Sequence, residues 1–201
     1  MPDHYFTQSP ASAEDRIDFE HVDQGHTLRF VTDAGVFSRE HMDKGTLLLL
    51  DALPPCSGRA LDLGCGWGGL GICYLRRNPG LTLIQADINE RAVALTRENL
   101  ARNGLSAEVV QSDGLENVPG SFDLIACNPP IRAGKAVMYR LLDQAYAALA
   151  PGGGLYVVIR KQQGAPSAKE HLAQYDGAVE TVARGGGFWV LRCLKGRVRL
   201  D

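Results

Sequence analysis

Leu61-Asp62-Leu63-Gly64-Cys65-Gly66-Trp67-Gly68-Gly69 is the stretch whose reading decides the fold. Apolar residues alternate with an acid, closely spaced glycines follow, and a helical pattern begins near Gly69. This is the signature of a strand that turns sharply into a helix. Glycine permits the tight turn and lets backbone approach a bound nucleoside closely. Gly64, Gly66 and Gly69 also satisfy the G-x-G-x-x-G pattern of dinucleotide sites. That pattern is loose, so the surrounding residues must choose the ligand.

Downstream, strand-like runs at 60–63, 82–86, 107–110, 122–126, 155–159 and 187–193 are separated by helical runs at 69–77, 90–103, 135–149 and 167–174. Asn89 is placed to cap the second of these helices and Asn103-Gly104 to end it. Alternation at this spacing predicts an α/β fold, a doubly wound and mostly parallel sheet with helices on both faces. Ligands in such sheets sit beyond the carboxyl ends of the strands. Upstream, 19–22 and 26–31 flank Asp23-Gln24-Gly25, which reads as a β-hairpin. An apolar helical stretch over 45–53 ends at Pro54-Pro55. The chain divides into an N-terminal extension, 1–35, and a main domain, 36–201.

The whole is 201 residues long, 45% hydrophobic and 22% charged, enough for one domain with a real core. No apolar run nears the roughly 18 residues of a membrane span, so no membrane partner is expected. The start lacks a basic region followed by an apolar run, so no signal peptide is expected. Five cysteines, Cys56, Cys65, Cys73, Cys127 and Cys193, have neither zinc-site nor disulfide spacing. They read as reduced thiols of a cytoplasmic protein. The five histidines are scattered, and no metal is expected. A net charge of −2 excludes a general polyanion binder and leaves any RNA contact to a local patch. Arg184, Arg192, Lys195, Arg197 and Arg199 are one candidate patch.

Asp62 stands two residues before the first glycine. A carboxylate there suits a ligand with an ammonium and a sulfonium better than one with a pyrophosphate. That favours S-adenosyl-L-methionine, with S-adenosyl-L-homocysteine as product, over a nicotinamide dinucleotide. Asp87, at the end of the next strand, can accept both ribose hydroxyl protons; it can also simply favour the following helix start. Asp113, before Gly114, can accept from an adenine amine or serve as a plain turn residue.

Cys127-Asn128-Pro129-Pro130-Ile131 follows the fourth strand of the alternating pattern, in register with the glycine loop. An exocyclic amine on a base is a poor nucleophile because its lone pair is delocalised. The Asn128 amide oxygen and the Pro129 carbonyl can hold the two amine protons and aim that lone pair at an activated methyl. Proline fixes the backbone around the carbonyl.

These residues resemble the class I S-adenosylmethionine-dependent methyltransferases. His4-Tyr5-Phe6, Gly35-Val36-Phe37-Ser38, Asp43-Lys44-Gly45-Thr46 and Asn128 through Lys135 resemble more narrowly the RsmC-type ribosomal RNA guanine-N2 methyltransferases. The resemblance implies a seven-stranded sheet whose final strand is antiparallel. It implies Phe37 and Ser38 closing over the cofactor, with Asp62, Gly64, Cys65, Gly66, Gly68, Asp87, Ile88, Asp113, Gly114 and Asn128 around it. Asn128, Pro129 and Pro130 would be catalytic. Ile131, Arg132 and Lys161 would meet a guanine of small-subunit ribosomal RNA. Two features depart from relatives. Many carry an aromatic residue where this chain has Ile131, and some carry a second, substrate-binding domain. A protein glutamine N5-methyltransferase and a non-catalytic methyltransferase-like binding module are the alternatives. A nicotinamide-dependent oxidoreductase would need a catalytic acid or base and a substrate domain, and neither is evident. The oligomeric state is left open.

Overall fold

The computed structural model describes residues 13–196. His4-Tyr5-Phe6, Arg197 and Arg199 therefore lie outside the described residues. The chain opens with β1 (Ile17–Asp23) and β2 (His26–Thr32), an antiparallel hairpin with the expected turn at Gln24-Gly25. Both turn residues take positive φ, +47° and +81°, the geometry that matches strand twist in a two-residue hairpin. Next come α1 (Lys44–Ala52), β3 (Arg59–Leu63), α2 (Gly69–Arg77), β4 (Thr82–Asp87), α3 (Glu90–Arg102), β5 (Glu108–Gln111) and β6 (Phe122–Cys127). The chain ends with α4 (Lys135–Ala147), β7 (Leu149–Arg160), α5 (Ala165–Leu172), β8 (Ala178–Gly185) and β9 (Phe188–Leu194).

The seven strands β3 to β9 form one sheet in the order β5-β4-β3-β6-β7-β9-β8. All pair in parallel except β9, which is antiparallel to both neighbours. The expected doubly wound α/β architecture is present, and so is the antiparallel final strand. The central strands are nearly continuous apolar runs because both of their faces are covered. One face packs Leu49, Leu70, Ile72, Leu95 and Phe30 from α1, α2, α3 and the hairpin. The other packs Met138, Leu142, Ala168 and Leu172 from α4 and α5.

Two differences from the sequence pattern have physical causes. The strand β8 has no counterpart among the apolar runs. It is an edge strand whose residues alternate between exposed and half-buried, and a register shift at Thr181/Ala183 breaks the period. The strand β7 begins at Leu149, where a helix end is expected from pattern alone, because Leu149 already pairs with Phe122. The helix stops two residues earlier, at Ala147.

The hairpin is fastened to the main sheet layer by side-chain amides. Asn99 Oδ1 accepts from Val31 N at 2.8 Å, and Asn99 Nδ2 donates to Val31 O at 2.9 Å. One helical turn on, Asn103 makes the same pair with Arg29, at 2.9 and 2.8 Å. Asparagines four apart on α3 thus match alternate residues of β2, because a helical turn and a two-residue strand step span similar lengths. They occupy backbone groups that would otherwise form an open strand edge. At the hairpin tip the buried Asp23 takes two bonds from Arg77, at 2.9 and 2.6 Å.

Candidate cofactor and methyl-transfer site

The end of β3 delivers Asp62 to the floor of a cavity of about 350 Å³ at the carboxyl end of the sheet. That size lies within the range of roughly 300–1,000 Å³ typical of small-ligand pockets. The loop that follows is held open by Gly64, Gly66 and Gly68 with φ of +76°, +57° and +88°, values that other residues rarely adopt. Its shape is fixed from behind. Gly66 N donates to Asp87 Oδ2 at 2.8 Å, and Gly66 O accepts from Thr96 Oγ1 at 2.9 Å.

Two of the carboxylates lining this cavity, Asp62 and Asp87, make no ion pair among the described residues. Asp62 Oδ2 accepts from Gly71 N at 3.0 Å and Gln85 Nε2 at 3.3 Å. Burial pushes the Asp62 carboxyl up to about 7, with the Asp87 charge adding to the rise and the two hydrogen bonds opposing it. Burial also raises Asp87, against the bonds from the Asn89, Gly66 and Ile88 backbone. A cationic ligand would relieve both. Gly71 carries the close approach, since a Cβ there would lie 2.4 Å from the Gln85 amide.

The cavity wall opposite the glycine loop is made by the segment before α1. Val36, Phe37, Ser38, Met42, Asp43 and Thr46 line it. Trp67 Nε1 donates to the carbonyls of Phe37 at 3.0 Å and Ser38 at 3.1 Å, so the glycine loop itself clamps this wall. Ser38 stands at φ +57°, a strained conformation for a non-glycine residue.

Asn128 completes the site. Its Nδ2 donates to Thr46 Oγ1 at 3.0 Å and Asp43 Oδ2 at 3.3 Å. Thr46 Oγ1 in turn donates to Asp43 Oδ2, and Asp43 caps α1 through Gly45 N at 2.8 Å and Thr46 N at 3.2 Å. The polarity of this chain is forced. A carboxylate only accepts, so the Thr46 proton goes to Asp43, and Thr46 then accepts from Asn128. With its nitrogen so committed, Asn128 offers the cavity an acceptor, Oδ1. The Pro130 carbonyl is used by Ala133 N at 2.9 Å, whereas the Pro129 carbonyl accepts no hydrogen bond among the described residues.

The structure brings together Phe37, Ser38, Asp62, Gly64, Cys65, Gly66, Asp87, Ile88, Asp113, Gly114, Asn128, Pro129 and Pro130. Asp113 is also paired with Arg140 Nη2 at 2.6 Å. Four expected residues do not line the cavity. Gly68 is turned to the start of α2, where its carbonyl accepts from Ile72 N and Gln85 Nε2. Ile131 packs, partly buried, against the core under α4. Arg132 is exposed, and Lys161 lies in a short 3-10 turn past β7 with its backbone N–H on Gly187 O. Trp67, Met42, Asp43, Thr46 and Arg140 are cavity residues to which the sequence pattern assigned no site role. For Asp43 and Thr46 a signal existed, since an Asp three residues before a Thr at a helix start is a capping pattern.

A glycine loop on the first strand of a 3-2-1-4-5-7-6 sheet, an acid ending the second and Asn-Pro-Pro after the fourth define the class I methyltransferase fold. Residues 27–192 match the methyltransferase small domain family, and the chain belongs to that family. It is 35% identical over 200 residues to the uncharacterized protein YbxB of Bacillus subtilis, covering 97% of this chain and 100% of that one. It is 40% identical over 169 residues to ribosomal RNA small subunit methyltransferase C of Pseudomonas aeruginosa strain LESB58, covering 80% of this chain and 49% of the relative. The chain thus spans about half the length of that relative. Among solved structures it resembles the T. thermophilus 16S rRNA N2 G1207 methyltransferase RsmC in complex with AdoMet and guanosine. The TM-score is 0.78 at 27% identity, over 92% of this chain and 52% of that one.

Proposed function

We propose that the chain transfers a methyl group from S-adenosyl-L-methionine to the exocyclic N2 amine of a guanine in small-subunit ribosomal RNA. The observation that carries this reading is the fixed polarity of Asn128, which presents the cavity with an acceptor suited to an amine N–H. The RsmC complex with AdoMet and guanosine supports the choice of cofactor and base. The cytoplasm, where ribosomal subunits are made, is the fitting compartment.

S-adenosyl-L-methionine supplies a methyl group already activated on a sulfonium. Asp62, Asp87, Asp113 and Gly114 all line the cavity; when the cofactor is bound, Asp62 would hold its ammonium end, Asp87 its ribose, and Asp113 and Gly114 its adenine side. Asn128 Oδ1 and the Pro129 carbonyl hold the two amine protons, which restores lone-pair density on the nitrogen and aims it along the C–S bond. With the cofactor bound, an N–C bond would form as the C–S bond breaks, the electron pair of the C–S bond staying on sulfur. The extra proton on nitrogen then leaves along the hydrogen bond to Asn128 or Pro129 toward solvent. Val36, Met42 and Leu70 make the wall apolar, so the transfer proceeds in a medium that strengthens these contacts. No general base is needed, because the sulfonium is already an activated electrophile.

Tritiated S-adenosyl-L-methionine incubated with the chain and either naked small-subunit RNA or assembled subunits tests the proposal. Label in RNA is expected. Tight S-adenosyl-L-homocysteine binding with no label in either substrate would leave a cofactor-binding module instead.

A further inference from the structure

Most basic side chains of the described residues are engaged. Arg16, Arg29, Arg39, Arg77, Arg91, Arg102, Arg140 and Arg192 make ion pairs. Arg59, Arg97 and Lys195 donate to backbone carbonyls, and Arg76 meets His26. Those left with neither an ion pair nor a side-chain hydrogen bond are not scattered. Apart from Lys169, they are Lys44, Arg132, Lys135, Arg160, Lys161 and Arg184, all at the carboxyl end of the sheet where the cavity opens.

Four of them form one connected rim. The strand β7 ends in Arg160 and continues to Lys161, whose N–H holds Gly187 O at 2.8 Å. Arg160 lies over the Phe188 ring at 4.4 Å, and Arg184 lies over Trp189 at 4.7 Å on the opposite face of the sheet. Phe188 packs against Gly45, next to Lys44, and Lys44 also approaches Gly186. The turn between β8 and β9 is Gly186-Gly187, so no side chain there covers the charges. Lys44 is flanked in sequence by Asp43, the residue that orients Asn128. Lys44 thus sets one end of the rim beside the residue that orients Asn128.

Of the basic cluster read from the C-terminal sequence, Arg184 belongs to this rim, and Arg197 and Arg199 lie outside the described residues. Arg192 pairs with Glu180, and Lys195 is spent on the carbonyls of Ala147 and Leu149. Along β9, Lys195 lies roughly 23 Å from the rim.

We propose that the rim of Lys44, Arg160, Lys161 and Arg184 is the docking surface for the sugar-phosphate backbone of the RNA strand that carries the target base. This rests on the RNA reading above and adds the means of binding that a chain of net charge −2 needs. Arg160 and Arg184 lie on aromatic faces, and among the described residues none of the four cations is in an ion pair, which leaves them for phosphate positioning.

The test uses the full chain with three substitutions, Lys44→Gln/Lys161→Gln/Arg184→Gln. The comparison variant is Arg29→Gln/Arg76→Gln/Arg97→Gln, which removes three exposed charges elsewhere. Binding to a small-subunit RNA transcript is measured across a salt series, alongside methyl transfer and S-adenosyl-L-homocysteine affinity. The rim variant is expected to bind RNA on the order of 10-fold or more weaker, with a log–log salt slope smaller by about 2–3. Cofactor affinity stays constant, and the comparison variant matches wild type. Equal RNA affinity and slope in rim variant and wild type overturn the rim while leaving the transfer reading intact. Wild type that binds RNA through the rim yet methylates none overturns the transfer reading alone. If the triple variant melts early, Lys161→Gln and Arg184→Gln singly carry the test, each lowering the slope by about 1.

Discussion

Thr46 Oγ1 accepts the side-chain amide of Asn128 at 3.0 Å, and this contact decides which end of that amide the cavity sees. The helix start at Asp43, the hydroxyl of Thr46 and the amide of Asn128 form a one-way chain of donors. Local helix capping and the orientation of Asn128 therefore share two residues, Asp43 and Thr46. Thr46→Val breaks the chain and lets the amide turn over. It should lower kcat on the order of 10-fold to 100-fold with little change in S-adenosyl-L-homocysteine affinity. Thr46→Ser should recover most of the loss, which a purely structural defect would not. Steady-state kinetics with calorimetry reads both, and unchanged kcat in Thr46→Val would remove the positioning role.

If Asp62 holds the cofactor's ammonium as proposed, cofactor affinity should depend on pH. With its carboxyl near 7, it is largely protonated at pH 6 and ionised at pH 8. Only the ionised form attracts an ammonium, so affinity should rise over that interval. Stability of the free chain moves the other way. An acid raised on folding binds a proton that the unfolded chain has released, so its contribution is fullest below about 4 and is lost as pH rises through 7. Calorimetric titrations at several pH values check the first effect and thermal melts the second. Asp62→Asn should flatten both, and a flat wild-type affinity from pH 6 to 8 contradicts the assignment.

Asn99 is fully buried and bonds Val31 N, Val31 O and Trp67 O, the last at 2.8 Å. Asn99→Ala strands these groups and should cost on the order of 1–3 kcal/mol or more in denaturant unfolding. Asn99→Asp keeps the acceptor and loses the donors, so it should also destabilise. Stability equal to wild type would mean that the hairpin docks by apolar contact alone.

Trp67→Phe keeps the ring packing against Phe19 and Phe30 and removes the indole N–H from the Phe37 and Ser38 carbonyls. The cavity wall then loses its clamp to the glycine loop. Cofactor dissociation, followed by stopped-flow fluorescence, should accelerate severalfold while the fold persists. An unchanged off-rate would show that other contacts hold this wall.

The strand–glycine–helix stretch at Leu61 and the Asn-Pro-Pro at Asn128 were legible in the sequence because each is a local pattern with a local cause. Sheet class followed from the alternation of apolar runs, and the hairpin from its turn residues. The strand β8 was hidden because an edge strand with a bulge carries neither a continuous apolar run nor a clean period. The helix end of α4 was misplaced because Leu149 suits either a helix face or a buried strand. Among site residues, Asp43 and Thr46 were visible as a cap, but their hold on Asn128 joins positions more than 80 residues apart. No spacing rule reports such a contact. Ile131, Arg132 and Lys161 were expected at the base from the family resemblance. The 3-10 turn after Pro130 sets Ile131 partly buried against the core and Arg132 exposed, both outside the cavity lining. Lys161 belongs to the rim rather than to the cavity.

The measurement that bears most directly on the central claim is nucleoside mass spectrometry of RNA methylated by the chain, run in parallel with Asn128→Ala. The account predicts N2-methylguanosine with wild type and none with the variant, although the variant still binds S-adenosyl-L-homocysteine. A methyl group on a ring carbon or a ribose oxygen, or full transfer by Asn128→Ala, would contradict it.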